Sequence, residues 1–434
     1  MNPQAEKLNQ IIKENSPVIF GLLSEKGKNI FFPGKGLVSQ GRDAKGKKIN
    51  ASIGEAKEND GSPLSLKSID TKLNIPHEDV YPYVSSYGKA DLRDIWKKII
   101  REKNPSLKNF QISRPVVTSA LTHGLSISGY LFVNEGDKII IPDLFWGNYK
   151  LIFENGYGGQ LDYFSFFDQK SFNTKGLEAK LNEPGEKKII LLNFPNNPTG
   201  YTPSEGEVKE ITSIIKRAAE KGKKIIILTD DAYFGLVYET GIYKESIFAP
   251  MANLHENVLA VKVDGATKED YAWGLRIGFI TFSNKLINDE LCRCLEEKTA
   301  GAVRGNVSNC SHLSQSLLLA AYQSDGYDKD KEKKYNLLEY RYNKVKDILQ
   351  EKYSHSEYFD IVPYNSGYFM CLKLKGIDPE EVRQVLLKDY DTGIMAIGDL
   401  IRVAYSSLAS DLIELLFENI EKACEDVKNI MIKL

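Results

Sequence analysis

Short, nearly continuous apolar runs alternate with segments of helical periodicity along the middle of the chain. Such runs, rich in Ile, Leu and Val, are typical of parallel strands that are buried on both faces. The predicted strands are 137–142, 187–194, 223–230, 257–263 and 277–282. Apolar positions from Val208 to Ala218 recur at helical spacing and stop at a glycine, which predicts a helix over 205–222, and another helix is predicted over 122–134. This alternation predicts an α/β domain with a mainly parallel sheet.

The C-terminal part follows a different pattern. A highly charged helical segment over 326–352 precedes strand-like runs within 359–374 and 399–406, and the predicted helices here are 379–387 and 410–434. These elements predict a smaller α+β domain over 326–434, after a large domain over 81–325. The first 80 residues have weak periodicity, and we expect them to wrap around the body and to contribute to the small domain. Two domains also suit a length of 434 residues, because single cores rarely grow beyond about 250–300 residues.

Composition excludes several classes of protein. The 57 basic and 59 acidic residues leave a net charge of −2, which gives no basic excess for nucleic acid or an anionic membrane. No apolar run is long enough to cross a bilayer, and the N-terminus lacks the apolar region of a signal peptide. The five cysteines are odd in number and do not cluster with the five histidines, so we expect reduced thiols, no metal site and a cytoplasmic protein.

The most informative residues follow the predicted strand 257–263. Lys268 lies in the loop after this strand, and Arg276 lies eight residues later, just before the next strand. A lysine at a strand end can form an imine with an aldehyde, and an arginine can bind a phosphate through two hydrogen bonds. Together they suggest pyridoxal phosphate (PLP) as a cofactor. On its own, however, a lysine in a loop is more often a solvated surface charge.

Three other motifs follow predicted strands, where ligands of parallel sheets collect. The motifs are DLFWGNYK (143–150), NFPNNPTGYTP (193–203) and TDDAYFGLVYE (229–239). Each has a structural alternative: a tryptophan that covers the edge of the core, a turn, and an N-cap at Asp230. Their order and spacing relative to the lysine loop favour one shared site instead.

In these motifs, over roughly 50–410, the chain resembles the fold-type-I PLP-dependent aminotransferases, and most closely the aspartate aminotransferase branch. The resemblance is carried by Asn197, Pro198, Thr199, Gly200, Asp230, Tyr233, Lys268, Arg276 and Arg402. It implies a large domain with a mainly parallel seven-stranded sheet between helices, a smaller α+β domain, and a homodimer with shared active sites.

The resemblance also implies roles for individual residues. Lys268 would hold PLP through its amine and then carry a proton during catalysis. Asp230 would pair with the pyridine nitrogen, so that the ring can accept electrons. Tyr233 and Asn197 would donate hydrogen bonds to the cofactor's phenolate oxygen. Trp146 would stack on the ring and, with Asn197, also contact the substrate.

By the same resemblance, the cofactor phosphate would be bound at several points. Leu121 and Thr122 would offer a backbone N–H and a hydroxyl at the start of a helix. Thr267 would add a hydroxyl, Arg276 would supply the main charge, and Tyr83 would reach the phosphate from the partner subunit.

Three positions depart from the family pattern. Ala120 and Gly265 stand where this branch has phosphate-binding serines, and Tyr149 replaces a histidine that usually contacts the aspartate. These departures put the affinity for PLP in doubt, but not the chemistry.

Substrate residues follow from the resemblance as well. Arg402, in LIRVAYSSL, would bind the substrate carboxylate. Arg304, in a stretch that aligns with R-x-x-x-S-N, would come from the partner subunit and bind the distal carboxylate of aspartate or glutamate. A surface arginine on a loop is the alternative. Ser52 stands where the family usually has a glycine near the substrate carboxylate, and it could narrow the pocket.

The preferred function is therefore a PLP-dependent aminotransferase that moves an amino group between aspartate or glutamate and a 2-oxo acid by a ping-pong mechanism. An aminotransferase for aromatic or other neutral amino acids, or a PLP-dependent lyase on the same fold, stays open. A PLP-binding regulator is disfavoured, because the roughly 50 residues before the match contain no recognition helix or basic patch. A non-catalytic homologue is disfavoured because the chain keeps all the residues of the resemblance that carry chemistry: Asn197, Asp230, Tyr233, Lys268, Arg276 and Arg402.

Overall fold

The central feature of the structure, a computed structural model that describes residues 2–17, 20, 23–30, 37–71 and 74–433, is a seven-stranded sheet. The strands of the described chain are β1 (Ile49–Asn50), β2 (Val116–Ser119), β3 (Lys138–Pro142), β4 (Gln160–Phe164), β5 (Phe167–Asp168), β6 (Ser171–Phe172), β7 (Lys187–Asn193), β8 (Lys224–Asp230), β9 (Val258–Asp264), β10 (Ile277–Ser283), β11 (Phe359–Ile361), β12 (Phe369–Leu374), β13 (Thr392–Gly393), β14 (Met395–Ile397) and β15 (Leu400–Ala404). In the large sheet the order is β2-β10-β9-β8-β7-β3-β4.

The large sheet is mainly parallel. Only β10 is reversed, and it pairs antiparallel with both β2 and β9. The other neighbouring pairs are parallel. The buried strands are nearly continuously apolar because helices cover both faces of the sheet. The predicted fold class is confirmed, and all five predicted strands form within two residues of their expected bounds.

Helices surround this sheet and extend beyond it. Those of the described chain are α1 (Pro3–Asn15), α2 (Glu25–Asn29), α3 (Leu37–Asp43), α4 (Lys67–Asp70), α5 (Ala90–Lys103), α6 (Ala120–Phe132), α7 (Thr174–Asn182), α8 (Glu205–Glu220), α9 (Phe248–Met251), α10 (Ala266–Glu269), α11 (Asp289–Val307), α12 (His312–Tyr322), α13 (Tyr327–Lys352), α14 (Pro379–Asp389) and α15 (Ile413–Lys433). Among them, no helix combines the length and apolar character that a bilayer span requires.

Local sequence signals explain where the predicted helices begin and end. A capping box starts α8, in which Ser204 and Glu207 satisfy each other's backbone N–H groups. Gly222, with φ +88°, follows the end of that helix in the left-handed conformation. The helix expected from 122 begins two residues earlier, at Ala120, directly after β2. The final helix begins at Ile413, after a 3₁₀ turn over Ser410–Leu412.

A second hydrophobic core lies around an antiparallel sheet of order β11-β12-β15-β14. Side chains from α14 and α15 fill it, including Val382, Leu386 and Phe417, which are all fully buried. The C-terminal half of α13 joins this core through Tyr342 and Val345, whereas Tyr327 and Leu338 from its first half belong to the core of the large sheet. This one helix therefore runs through both cores.

The N-terminal segment also contributes to both cores. Ile49 and Ala51 are buried in the second core, and β1 pairs in parallel with β13 of that region. Leu64, Leu66 and Ile69 instead belong to the core of the large sheet. The domain boundaries at 80 and 325 stay predictions.

Candidate active site

The carboxyl ends of the central strands meet at one cavity. Asn193 and Asp230, the last residues of β7 and β8, are directly paired in the sheet, and Lys268 lies on the short helix that follows β9. The cavity has a volume of about 210 Å³. Its lining residues are Ala120, Leu121, Thr122, Trp146, Asn193, Asn197, Asp230, Ala232, Tyr233, Thr267, Lys268 and Arg276. Most of the predicted cofactor residues, which are far apart in the sequence, are thus brought together.

Asp230 is a buried carboxylate with a phenol as its closest partner. Tyr149, which is fully buried, donates a 2.5 Å hydrogen bond from its hydroxyl to Oδ2 of Asp230, and the backbone N–H of Ala232 donates to Oδ1. Burial raises the pKa of Asp230 to about 6, although the Tyr149 hydrogen bond and the nearby Lys268 oppose this rise. Tyr149 therefore makes the contact for which the sequence comparison expected a histidine.

The ring of Tyr149 is held in place by other aromatic side chains. It meets Trp146 edge-to-face with ring centroids 5.6 Å apart, and it also contacts Phe145 and Phe153. Burial and the adjacent Asp230 keep the pKa of Tyr149 well above its usual value, so the phenol stays protonated and can only donate to the carboxylate.

Lys268 has the character of a reactive amine. Burial lowers its pKa, Asp230 opposes this effect, and Arg276 adds to it. The amine lies 5.2 Å from the centroid of the Tyr233 ring. On the backbone side, the hydroxyl of Tyr368 donates a 2.7 Å hydrogen bond to the carbonyl of Lys268. A lowered pKa increases the fraction of neutral amine, which is the nucleophilic form.

Arg402 is a buried cation next to the cavity. It is only 4% exposed, and its two Nη atoms donate to the amide oxygen of Asn197 and to the carbonyl of Ser52 at 2.9 and 3.0 Å. Its Nε has no hydrogen-bond partner within the described part of the chain, and the guanidinium lies 4.2 Å from the centroid of the Phe369 ring. Neither acceptor is a carboxylate, although buried cations are normally paired with an anion. The arrangement suits an anionic ligand.

Asn197 links Arg402 to the strand ends. Its backbone N–H donates to the side chain of Asn193 at 2.9 Å, and the amide of Asn193 donates to the carbonyl of Asp230 at 2.8 Å. These side-chain bonds hold the loop that carries Asn197 against β8, so that the loop and Asp230 keep a defined separation.

The opposite end of the cavity begins at the N-terminus of α6. Ala120 starts this helix with φ +65°, and its carbonyl accepts a hydrogen bond from the hydroxyl of Thr118. Leu121 and Thr122 form the first turn, where helix N–H groups lack acceptors within the helix. The N-terminus of a helix favours an anion, because these N–H groups and the helix dipole both attract negative charge.

Two further donors lie at this end. The hydroxyl of Thr267 is buried, and none of the residues that the structure describes forms a hydrogen bond with it. Arg276 is exposed in the left-handed conformation with φ +54°, and one of its Nη atoms donates to the carbonyl of Trp273. The buried hydroxyl of Thr267, the start of α6 and the exposed guanidinium of Arg276 together suit a phosphate group.

Gly265 is confined by backbone atoms. A Cβ at this position would come within 2.5 Å of the Ile277 carbonyl oxygen and 2.8 Å of the Cα of Gly278. A serine like that of the family could not be placed here without moving the main chain. A side chain at this position would therefore clash with the first residues of β10.

Tyr83 and Arg304 lie elsewhere, in a groove of about 560 Å³. Tyr83 is 91% exposed, and Arg304 is an exposed residue in the last turn of α11 rather than in a loop. Ser86 donates a hydrogen bond to the carbonyl of Ser308 across the same groove. Neither Tyr83 nor Arg304 lines the cavity that contains Lys268.

The family model for class I and II aminotransferases matches residues 47–420. The chain belongs to this family. A relative named aspartate aminotransferase, from Sulfurisphaera tokodaii, is 27% identical over 293 residues, which cover 66% of this chain and 65% of that protein. A Bacillus subtilis relative, named probable N-acetyl-LL-diaminopimelate aminotransferase, is 26% identical over 58% of each chain. These matches span about three-fifths of the relatives' lengths.

Solved aminotransferases share the fold over nearly the whole chain. The crystal structure of an aminotransferase from Anaerococcus prevotii has a TM-score of 0.82 and is 23% identical, over 92% of this chain and 98% of that one. At this identity the likeness concerns the fold, and it agrees with the mainly parallel sheet described above.

Class I and II aminotransferases depend on PLP, and the cavity fits this group. The cofactor phosphate is suited by the buried hydroxyl of Thr267, by the start of α6 and by Arg276. A buried carboxylate on Asp230 suits a protonated ring nitrogen, and the amine of Lys268 suits its aldehyde.

The structure also qualifies the interpretation of Ser52. Ser52 meets Arg402 only through its carbonyl, because its hydroxyl bonds Asn50 at 2.6 Å. Two contacts of the site are not among those that the sequence predicts. Asn193 could have been suspected from its place at the start of NFPNNPTG, whereas no local signal indicates that Phe369 stacks on Arg402.

Proposed function

We propose that this protein is a PLP-dependent aminotransferase that transfers an amino group between aspartate or glutamate and a 2-oxo acid by a ping-pong mechanism. The observation that carries the proposal is the convergence of Lys268 and Asp230 on one cavity beside the buried Arg402. The amine of Lys268 matches the aldehyde of PLP, and the carboxylate of Asp230 matches its ring nitrogen. The guanidinium of Arg402 matches the substrate carboxylate.

The residues divide the work of catalysis. Bound PLP supplies an electron sink that stabilises negative charge at the substrate α-carbon. The amine of Lys268 would take the proton from the α-carbon, and burial, which lowers the pKa of this amine, favours the neutral form that acts as a base. Asp230 would pair with the ring nitrogen of PLP through its negative charge, and the hydrogen bond from Tyr149 favours the ionised form of that carboxylate.

Other residues bind and orient. Arg402 would bind the α-carboxylate through its guanidinium, in part by exchanging its present contacts with Asn197 and Ser52. Asn197 and Tyr233 would donate to the phenolate oxygen, and Trp146 would cover the ring. Thr122, Thr267 and Arg276 would hold the phosphate, together with the N–H of Leu121; this set lines the same cavity.

The second carboxylate of the substrate requires a second subunit in this proposal. Tyr83 and Arg304 share one exposed groove outside the cavity, so they are available to another copy of the chain. In a homodimer they would complete the partner's site, with Tyr83 at the phosphate and Arg304 at the distal carboxylate. A cytoplasmic location stays a prediction from the sequence.

The direct test is the visible absorbance of the purified protein with PLP, before and after aspartate is added. We expect a bound chromophore that aspartate converts, and Lys268→Ala should lose both the covalent link and transamination while staying folded. Lys285→Ala, at an exposed lysine, is the matched control.

Each contrary result removes a different part of the proposal. Near-normal turnover by Lys268→Ala would refute the role of this lysine. A chromophore that ignores aspartate but answers phenylalanine would refute the dicarboxylate preference. Ammonia or pyruvate release without a 2-oxo acid would indicate a lyase.

A further inference from the structure

Two carboxylates that directly follow Lys268 are tied to the long helix α13. The amine of Lys331, on that helix, lies 3.0 Å from Glu269 Oε1 and 3.0 Å from Asp270 Oδ1. The side chains of Glu269 and Asp270 are only 8% and 0% exposed. Buried carboxylates without a partner are strongly disfavoured, so this contact restrains the turn that carries Lys268.

Other groups complete the buried cluster. Lys103, from the end of α5, pairs with Glu269 at 2.5 Å, and the hydroxyls of Tyr322 and Tyr327 each donate to Asp270 at 2.7 Å. The two negative charges are balanced by two positive ones. Lys103 and Lys331 together lower the pKa of Glu269, although burial opposes them. The turn after β9 is therefore held by these ion pairs and by two hydroxyl donors.

Ten residues further along α13, a second buried cation contacts the segment that follows Arg402. Arg341 is fully buried, and its Nη1 donates a 2.6 Å hydrogen bond to the carbonyl of Ser406, while Nη2 donates to Asn59 at 3.1 Å. Ser406 lies four residues after Arg402, just beyond β15. Ten helical residues span about 15 Å, and a helix is rigid over that length.

We propose that α13 acts as a strut that sets the separation between Lys268 and Arg402, with Lys331 and Arg341 as its positioning residues. The inference rests on the proposed function, in which Lys268 acts at the α-carbon of a substrate whose carboxylate is bound by Arg402. Lys268 follows strand β9 of the large sheet and Arg402 lies on β15 of the small sheet, and the helix whose side chains enter both cores contacts the neighbours of each. Misplacement by about 1 Å can lower a catalytic rate by about 100-fold, so such a support has a functional consequence.

The two contacts predict different defects. Lys331→Met should slow covalent attachment of PLP to Lys268 and lower kcat by about tenfold or more, while binding of succinate, a non-reacting dicarboxylate, changes little. Arg341→Lys should instead weaken succinate binding and raise KM for aspartate by about tenfold, with normal attachment of PLP. Borohydride trapping followed by mass spectrometry measures the attachment, and calorimetry measures succinate binding.

Matched variants separate positioning from loss of folding. Lys333→Met removes an exposed lysine from the same helix and should behave as wild type. Lys331→Arg should restore much of the attachment rate, because it keeps the charge. If Lys331→Met unfolds, the double variant Lys331→Met/Asp270→Asn removes one charge of each sign and should fold, yet still attach PLP slowly. Asn59→Ala offers a milder change at the Arg341 contact.

The strut would be overturned if folded variants of Lys331 and Arg341 lose stability but keep wild-type kcat, KM and succinate binding. Equal changes in PLP attachment and succinate binding in both variants would also overturn it. A wild-type protein that neither attaches PLP nor transaminates would refute the proposed function instead, so the two failures are distinguishable.

Discussion

The phenol of Tyr149 donates a 2.5 Å hydrogen bond to the carboxylate of Asp230 at the floor of the cavity. Both side chains are buried, and the pKa of Asp230 is raised to about 6 by its burial in spite of this bond. A tyrosine donor remains neutral over the physiological range, unlike a histidine, which titrates near neutral pH. The hydrogen-bond partner of Asp230 therefore does not change its own charge in the pH range in which Asp230 titrates.

Tyr149→Phe should weaken PLP binding and shift its pH dependence. The hydrogen bond favours the ionised carboxylate, so its loss raises the pKa of Asp230 further, while Lys268 still lowers it and Asp231 still raises it. PLP affinity falls as pH drops through this pKa, and the fall should begin at higher pH in the variant. A hydrogen bond to a charge contributes roughly 1.5–3 kcal/mol, so we expect the dissociation constant at pH 7 to rise by about tenfold.

The measurement is equilibrium dialysis of PLP against the cofactor-free protein between pH 5 and pH 8 (the interval in which Asp230 should titrate). Tyr163→Phe is the control, because Tyr163 stacks on Phe145 but is 38% exposed. Superimposable curves for Tyr149→Phe and wild type would show that the hydrogen bond does not set the charge of Asp230.

Arg304→Ala should impair aspartate far more than phenylalanine. In the proposed dimer, the variant leaves the distal carboxylate of aspartate buried without a partner, which costs roughly 2–5 kcal/mol. Phenylalanine has no such group. The comparison is kcat/KM for the two amino acids, with Arg293→Ala, an exposed arginine on the same helix, as the control. Equal losses for both substrates would contradict the role.

Mixed dimers test whether Arg304 acts across subunits. When Lys268→Ala and Arg304→Ala chains are combined in equal amounts, about half of the dimers are mixed and each has one complete site, so activity should recover to about a quarter of wild type. Combining Lys268→Ala with Arg402→Met should give no recovery, because Arg402 contacts Asn197 of the cavity in its own chain. Absence of recovery in the first mixture would place Arg304 outside the partner's site.

Gly265→Ser should destabilise the protein instead of improving phosphate binding. The added Cβ would lie 2.5 Å from the Ile277 carbonyl oxygen, and overpacking of this kind costs about 1–3 kcal/mol. Gly274→Ser is the matched control, since a Cβ there would meet no atom within 4 Å. Urea unfolding of the cofactor-free proteins measures the difference. Tighter PLP binding with unchanged stability in Gly265→Ser would contradict the steric argument.

Much of the large sheet could be predicted because its strands carry their own signal. Residues buried on both faces must be largely apolar, as in 189–192 and 225–228, and the capping box at Ser204 marks a helix start locally. The single reversed strand β10 could not be predicted, since periodicity gives burial but not direction. Leu64 contributes to one core and Ile49 to the other, and this could not be predicted either, because it depends on long-range packing.

The sequence by itself determined the fold class and the family, because Lys268, Asp230 and Arg402 each follow or occupy a recognisable motif. Tertiary structure decided how these groups are supported. Tyr149 reaches Asp230 from 81 residues away, Gly265 admits no side chain because β10 lies against it, and Lys331 ties α13 to the residues after Lys268. Such contacts depend on distances between segments that are remote in sequence, and no local pattern of residues encodes those distances.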